Sequence, residues 1–373
     1  MSTNAFGLIY TGDNNPQLKD LTSSRSIAAT PFGGRYRCID FILSNLVNSG
    51  ISSVGLITQK NYHSLMDHLG SGKEWDLNRK REGLFILPPF LTKGNEGVYR
   101  GSVDALRSVL GYVRRCPQKY CILTGSHTIF NIRFNDMLQA HIDTGADITI
   151  LYNEVPTLDP EAQNNDLRLI LDADERVQDL ELNPYRPKSD KQSCDVFILD
   201  KNLLEFLLEE AYARGDYDFY RDILLKKKHS LHMRGYKTSR YVARLDSLMT
   251  YFTHSMDLLR ADVAHDLFDE NRVFTKVKDE VPARYGANAR VANSILADGC
   301  VVEGQVENSL LFRGVRVAKT AVVRNSIIMQ GVSVGEGAVL DHVILDKGVT
   351  VGNNRMLTGY DSFPIIVRKN QAV

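Results

Sequence analysis

The sequence predicts an α/β protein in two parts: a doubly wound, Rossmann-like sheet domain, then a parallel β-helix. Two observations carry this. Over the first two-thirds, short apolar runs alternate with stretches of helical periodicity, the β-α-β-α order of a mostly parallel sheet covered by helices. In the last third the long helical patterns stop and a repeat begins. Arg313-Gly314-Val315-Arg316-Val317 recurs as Gln330-Gly331-Val332-Ser333-Val334 and as Lys347-Gly348-Val349-Thr350-Val351, with the glycines 17 residues apart. Asn293-Ser294-Ile295-Leu296 echoes in Asn308-Ser309-Leu310-Leu311 and Asn325-Ser326-Ile327-Ile328. A period of about three hexapeptides is one coil of a β-helix, with aliphatic residues inside and turns at Gly, Asn and Asp.

Taken in order, Ala5 to Tyr10 reads as a strand ending in Thr11-Gly12. Pro31 and the pair Gly33-Gly34 predict a tight loop. The apolar spacing of Ile39, Ile42, Leu43, Leu46 and Val47 then predicts an amphipathic helix, which Asn48-Ser49-Gly50 ends. The loop carries Arg35 and Arg37. It either presents guanidinium groups and backbone amides to an anion or only packs with its helix. Ser53 to Thr58 is a second strand, and Gly70 to Gly97, rich in charge and glycine, reads as an excursion loop. Val103 to Val113 is helical, Tyr120 to Gly125 a strand with a sharp end, Phe134 to Ile142 a helical face and Asp147 to Tyr152 a strand. Ile170 to Asn183 suggests an edge hairpin, Val196 to Leu199 a strand, Leu203 to Ala213 a helix, and Met256 to Leu267 a helix leading out of the domain. Arg272 to Pro282 is charged and extended, as a linker would be. The expected division is 1–255 for the α/β domain, 256–285 for a linker helix and extended linker, and 286–373 for the β-helix. Ligands of such sheets sit at the carboxyl ends of strands, here Thr11-Gly12, Thr58-Gln59 and Gly125-Ser126-His127.

The formal net charge is zero, which argues against a general nucleic-acid binder while leaving room for a local basic site. No run approaches the roughly 20 apolar residues of a membrane helix. The N-terminus lacks the basic and apolar regions of a secretion signal, and the five cysteines include no CxxC pair, so a cytoplasmic chain with reduced thiols is expected.

The motifs Leu18-Lys19-Asp20-Leu21-Thr22, Phe32-Gly33-Gly34-Arg35-Tyr36-Arg37, Ile39-Asp40-Phe41, Leu43-Ser44-Asn45 and Tyr99-Arg100-Gly101-Ser102-Val103-Asp104-Ala105, with Ser309-Leu310-Leu311-Phe312 in the repeat, carry a resemblance over nearly the whole chain. The chain resembles the glucose-1-phosphate adenylyltransferase family, which joins ATP to glucose 1-phosphate to make ADP-glucose for glycogen synthesis. The resemblance implies a nucleotidyltransferase domain and a left-handed parallel β-helix. It also implies a site crowded with anions and metal, and there the chain departs from the family pattern. The phosphate turn ends in Gln17 where active members have arginine, with Asp13 and Pro16 inside it. Ile27 stands in place of a phosphate-facing lysine, Ser126 in place of a metal-holding Asp, and Asn183 in place of the lysine of the sugar-phosphate motif. The second metal-side Asp falls near Arg244 in Tyr241-Val242-Ala243-Arg244-Leu245-Asp246-Ser247, where Asp246 could compensate in a shifted register.

Together these degenerate positions resemble the non-catalytic GlgD-type subunits of the family. The resemblance then implies no catalytic residues and no metal or cofactor in this subunit, with Mg²⁺ expected in a catalytic GlgC-type partner. A hetero-oligomer, a heterotetramer with that partner, is expected, or a homo-oligomer when the chain is alone. Arg25, Arg37 and Arg316 match family positions around a phosphorylated metabolite effector held between the domains, while Ser24 and Pro31 replace two basic ones. The alternatives are an active sugar-1-phosphate nucleotidyltransferase with atypical ligands such as Asp13, Asp104 or Asp246, and a stand-alone sugar-nucleotide sensor. An acyltransferase built on His342 is a further, poorer fit, because a full nucleotidyltransferase-like domain precedes it.

Overall fold

The computed structural model describes residues 4–12, 16–89, 99–155 and 166–373. Among them, nine strands form one mixed sheet. Gly83–Leu87, Ser53–Ile57, Ala5–Tyr10 and Tyr120–Thr124 lie side by side and parallel. Lys191–Asp200 runs antiparallel to Tyr120–Thr124 and to Ile148–Glu154, which pairs in parallel with Met233–Lys237. The hairpin Leu167–Leu171/Val177–Leu182 forms the edge expected from the sequence. The sheet is therefore parallel over one half only. Lys191–Asp200 does not pair with the strand before it, Val177–Leu182; it crosses over Leu167–Leu171 and runs antiparallel to that strand and to its other neighbours.

Strand alternation supplies a core on each face. In Ala5–Tyr10, Phe6 and Leu8 join the cluster under the helices Ser102–Ser108 and Leu110–Arg115. Ala5 and Ile9 join the opposite cluster with Ile39, Ile42, Leu43 and Leu46 of the helix Cys38–Asn48. Gly7 lets that helix close on the sheet, since a Cβ there would lie 2.8 Å from a Leu46 methyl. The helix ends at Gly50, in the left-handed region at φ 76°, as its sequence predicts. Its polar residues bind neighbouring backbone. Asn45 Nδ2 donates to the Phe130 carbonyl at 2.9 Å, while Ser49 Oγ and Ser44 Oγ accept from the Phe134 and Phe274 amides. The motif Leu43-Ser44-Asn45 thus ties the sheet domain to the linker.

The last third is a β-helix of three five-stranded parallel sheets. The repeat has a direct structural meaning. Asn293, Asn308, Asn325 and His342 occupy one corner at positive φ, between 40° and 52°. Asn side chains chain upward, Asn293 to Asn308 at 2.8 Å and Asn325 to Asp341 at 2.9 Å. Ser294, Ser309 and Ser326 each accept the amide of the coil above, from Ser309, Ser326 and Val343. His342 closes the column between Asp341 and Asp361, which accounts for it as a structural residue.

The two parts share a core. Phe32, Phe41, Tyr251 and Leu267 pack in one cluster with Leu310, Phe312, Ile327, Met329 and Ile344 of the β-helix. Inside this junction, Arg25 donates from one guanidinium nitrogen to both Asp346 oxygens at 2.8 Å, with both side chains buried. Among the described residues no helix is long and apolar enough to cross a membrane.

Candidate functional site

Among the described residues, polar and charged side chains gather in the cleft at the strand ends and in a basic pocket between the domains. The pocket is built by a hairpin, Pro31–Phe32 paired with Tyr36–Arg37. Its loop turns through Gly33 and Gly34 at φ 58° and 80°, a region that costs little only to glycine. Gly34 rests on the β-helix: a Cβ there would meet Ile295 at 3.7 Å, Ala297 at 3.8 Å and the Leu311 carbonyl oxygen at 3.9 Å. Arg35 and Arg37 both line the pocket. The Arg37 guanidinium is fixed by Ser64, donating to its carbonyl at 2.6 Å and its hydroxyl at 3.0 Å. Asp40 holds the hairpin base, accepting the Arg37 amide at 3.0 Å while pairing with His68 at 2.6 Å.

The β-helix supplies the opposite wall. Arg313, Gln330 and Lys347 are the residues before the three repeat glycines, and all three line the pocket. They stack directly: the Gly331 amide donates to the Arg313 carbonyl and the Gly348 amide to the Gln330 carbonyl, each at 3.0 Å. Lys276 and Lys278 of the linker complete a wall of six cations, around an empty volume of about 400 Å³ to which no carboxylate residue contributes. Like charges so arranged raise each other's cost. Burial and neighbouring cations push the Arg37, Arg313 and Lys347 pKa values down, Lys347 to about 7. Arg313 is 6% exposed, and its Nε and one Nη have no hydrogen-bond partner.

The three arginines expected to share an anion are therefore separated. Arg37 lines the pocket. Arg25 is only 2% exposed and already neutralised by Asp346. Arg316 points outward from the strand Arg316–Val317 and is absent from the pocket wall, because successive residues of a strand face opposite sides. Arg313 and Lys347 line the pocket beside Arg37. The sequence held the signal for both, since a repeat of fixed period puts the residue before each glycine in one column.

In the cleft, Thr11 and Ser126 end adjacent strands, with Ser126 Oγ donating to the Thr11 carbonyl at 3.5 Å. Asp13 lies outside the described residues, and Gln17 is exposed in the turn Pro16–Leu18 that follows. Ile27 is buried in the interdomain cluster. Asn183, at φ 52°, exchanges hydrogen bonds with the Asp166 backbone and acts as a turn residue. Antiparallel pairing of Ala243–Arg244 with Thr128–Ile129 carries Arg244 to the end of the cleft. There it is buried, with Nε on Asp246 at 2.6 Å and one Nη donating to the Ser193 carbonyl at 3.1 Å. Asp195 sits at a bulge with φ 59°, pairs with His127 at 2.8 Å and accepts from the Tyr220 hydroxyl at 2.5 Å. Burial would raise the Asp195 carboxyl, but Arg244 and His127 outweigh it and hold it down at about 2. Asp104 is held by Arg100 at 2.7 Å.

Comparison with known proteins fits both parts. The nucleotidyl transferase family matches residues 6–241, and the GlmU-like, C-terminal hexapeptide family matches residues 279–363. The chain is 36% identical to a glucose-1-phosphate adenylyltransferase of Pseudothermotoga lettingae, over 85% of this chain and 75% of the relative. It is 38% identical to the glycogen biosynthesis protein GlgD of Bacillus subtilis, over 81% of this chain and 77% of the relative. Against GlgD of Geobacillus stearothermophilus the identity is 40%, over 87% and 84%. The chain belongs to the glucose-1-phosphate adenylyltransferase family, as a GlgD-type member. Family chemistry calls for Mg²⁺, and the residues here do not fit it. At the strand ends of the cleft Ser126 offers a neutral hydroxyl and Arg244 a cation, neither of them a ligand for a hard divalent ion. The nearby carboxylates Asp195 and Asp246 are committed to Arg244, His127 and Tyr220. Among the described residues no group of three His, Cys, Asp or Glu side chains could hold a metal.

Proposed function

We propose that this GlgD-type chain is a catalytically deficient subunit in ADP-glucose synthesis, which regulates a catalytic GlgC-type partner and answers to a phosphorylated metabolite. The observation that supports the first half is Arg244, a buried guanidinium paired with Asp246 in the cleft at the strand ends. A triphosphate in transfer needs a divalent cation bridging its oxygens, held by carboxylates. Here the protein's own cation has taken up the carboxylates. The observation that supports the second half is the interdomain pocket, where six cations converge without a carboxylate in the wall. An anion bound there touches the sheet domain through Arg37 and the β-helix through Lys347. It is thus placed to bias how the two parts sit, and regulation requires such differential contact.

The test is to mix the chain with a catalytic homologue and follow ADP-glucose formation at fixed catalytic subunit. The expected result is a rate or effector response that changes with added chain, together with co-elution of the two. An unchanged rate and response, with no co-elution, contradicts the regulatory reading.

A further inference from the structure

The interdomain pocket also sets the protonation of one of its own cations, an inference that rests on the effector reading above. Lys347 lies among cations from every element packed around it: Arg37 of the hairpin, Arg25 behind the junction, and Lys278 of the linker. Arg35, Arg313, Lys276 and His68 complete the wall. The one carboxylate beside it, Asp346, has both oxygens on Arg25, and one of them also accepts the Lys347 backbone amide at 2.7 Å. Among the described residues no carboxylate lies within ion-pair distance of the Lys347 amine. The pocket therefore offers this amine repulsion and desolvation without a counter-ion, and both favour its uncharged form. Arg313 is the opposite case. A guanidinium stays charged at any ordinary pH, and two of its buried nitrogens have nothing to donate to.

We propose that anion capture in this pocket is coupled to uptake of one proton by Lys347, with Arg313 as the permanent charge that receives the anion. A dianion, such as a phosphate ester, supplies both missing elements. It accepts from the free Arg313 nitrogens and gives the Lys347 ammonium a counter-charge. The direction agrees with the amine's neutral-range pKa of about 7 in the empty pocket, set by burial and by Arg37. Binding must raise that pKa, and by linkage the affinity must fall as pH rises through it.

Sulfate is the probe of choice, since it stays a dianion across the range and every proton counted is taken up by the protein. Calorimetric titration of the full chain in two buffers of different ionisation enthalpy gives the number of protons taken up. At pH 8 the expected uptake approaches one per sulfate and at pH 6 it approaches zero, with affinity falling roughly fivefold from pH 7 to pH 8. Lys347→Arg is expected to keep sulfate binding and lose both the uptake and the pH slope. Arg313→Ala is expected to weaken binding by roughly tenfold or more, and Arg316→Ala to leave it unchanged. Sulfate binding with no proton uptake, or uptake that persists in Lys347→Arg, overturns this inference and leaves the effector pocket standing. No sulfate binding at pH 6 overturns the effector reading itself.

Discussion

Arg244 and Asp195 show how a few side chains redirect a cleft. Each would be costly alone in a buried site, and together with Asp246, His127 and Tyr220 they satisfy one another. The network predicts an acid limb to stability. Asp195 is held at about 2, below the ordinary carboxylate value, so the unfolded chain binds its proton first as pH falls. The stability it contributes is full above about pH 4 and is lost progressively toward pH 2. Urea midpoints of the wild type and of Asp195→Asn, measured across that range, check it: the variant should be less stable at neutral pH and show a flatter slope between pH 4 and 2. Equal slopes would show that Asp195 does not set the acid limb. At this scale the sequence was informative where chemistry depends on residue type. Ser126 and Arg244 are residue types that do not ligate a hard cation, which is legible by identity alone. It was uninformative about Arg25, because burial against Asp346, more than 300 residues away in the chain, leaves no local signature.

Among the elements, the β-helix was the most legible, since its 17-residue period names both the coil and the residues on each corner. The serine ladder gives that repeat an energy. Ser326 Oγ accepts the Val343 amide at 3.1 Å and is itself fully buried. Ser326→Ala should leave that amide unpaired and cost about 1–3 kcal/mol, read as a lower denaturation midpoint of the solenoid. An effect within about 0.5 kcal/mol would mean the ladder is ornamental. The junction predicts a larger change. Asp346→Asn strands the Arg25 guanidinium in the shared core and should cost about 3–5 kcal/mol, whereas Arg25→Met with Asp346→Leu should recover most of it. A single-variant loss below about 1 kcal/mol would show that water reaches the pair. The strands Gly83–Leu87 and Met233–Lys237 escaped the sequence reading for a physical reason. The first is an edge strand set in a charged, glycine-rich stretch, and the second, Met-Arg-Gly-Tyr-Lys, has little apolar patterning. Tertiary pairing decides such segments more than propensity does.

For the whole molecule, the hairpin loop, the linker and the repeat column meet where the sheet domain and the β-helix share their core. An anion held there would touch both parts, and the cleft at the strand ends holds an internal ion network of Arg244, Asp246, Asp195 and His127. The sequence revealed the two architectures. It could not reveal the pocket, which requires knowing which corner of the β-helix faces the hairpin. A cleft so occupied should no longer perform nucleotidyl transfer, and turnover by the purified chain alone tests this most directly. With ATP, glucose 1-phosphate and Mg²⁺ at saturating levels, ADP-glucose formation should be at least about 10³-fold slower than for a catalytic homologue assayed alongside. Turnover comparable to that homologue, without any partner, would contradict it.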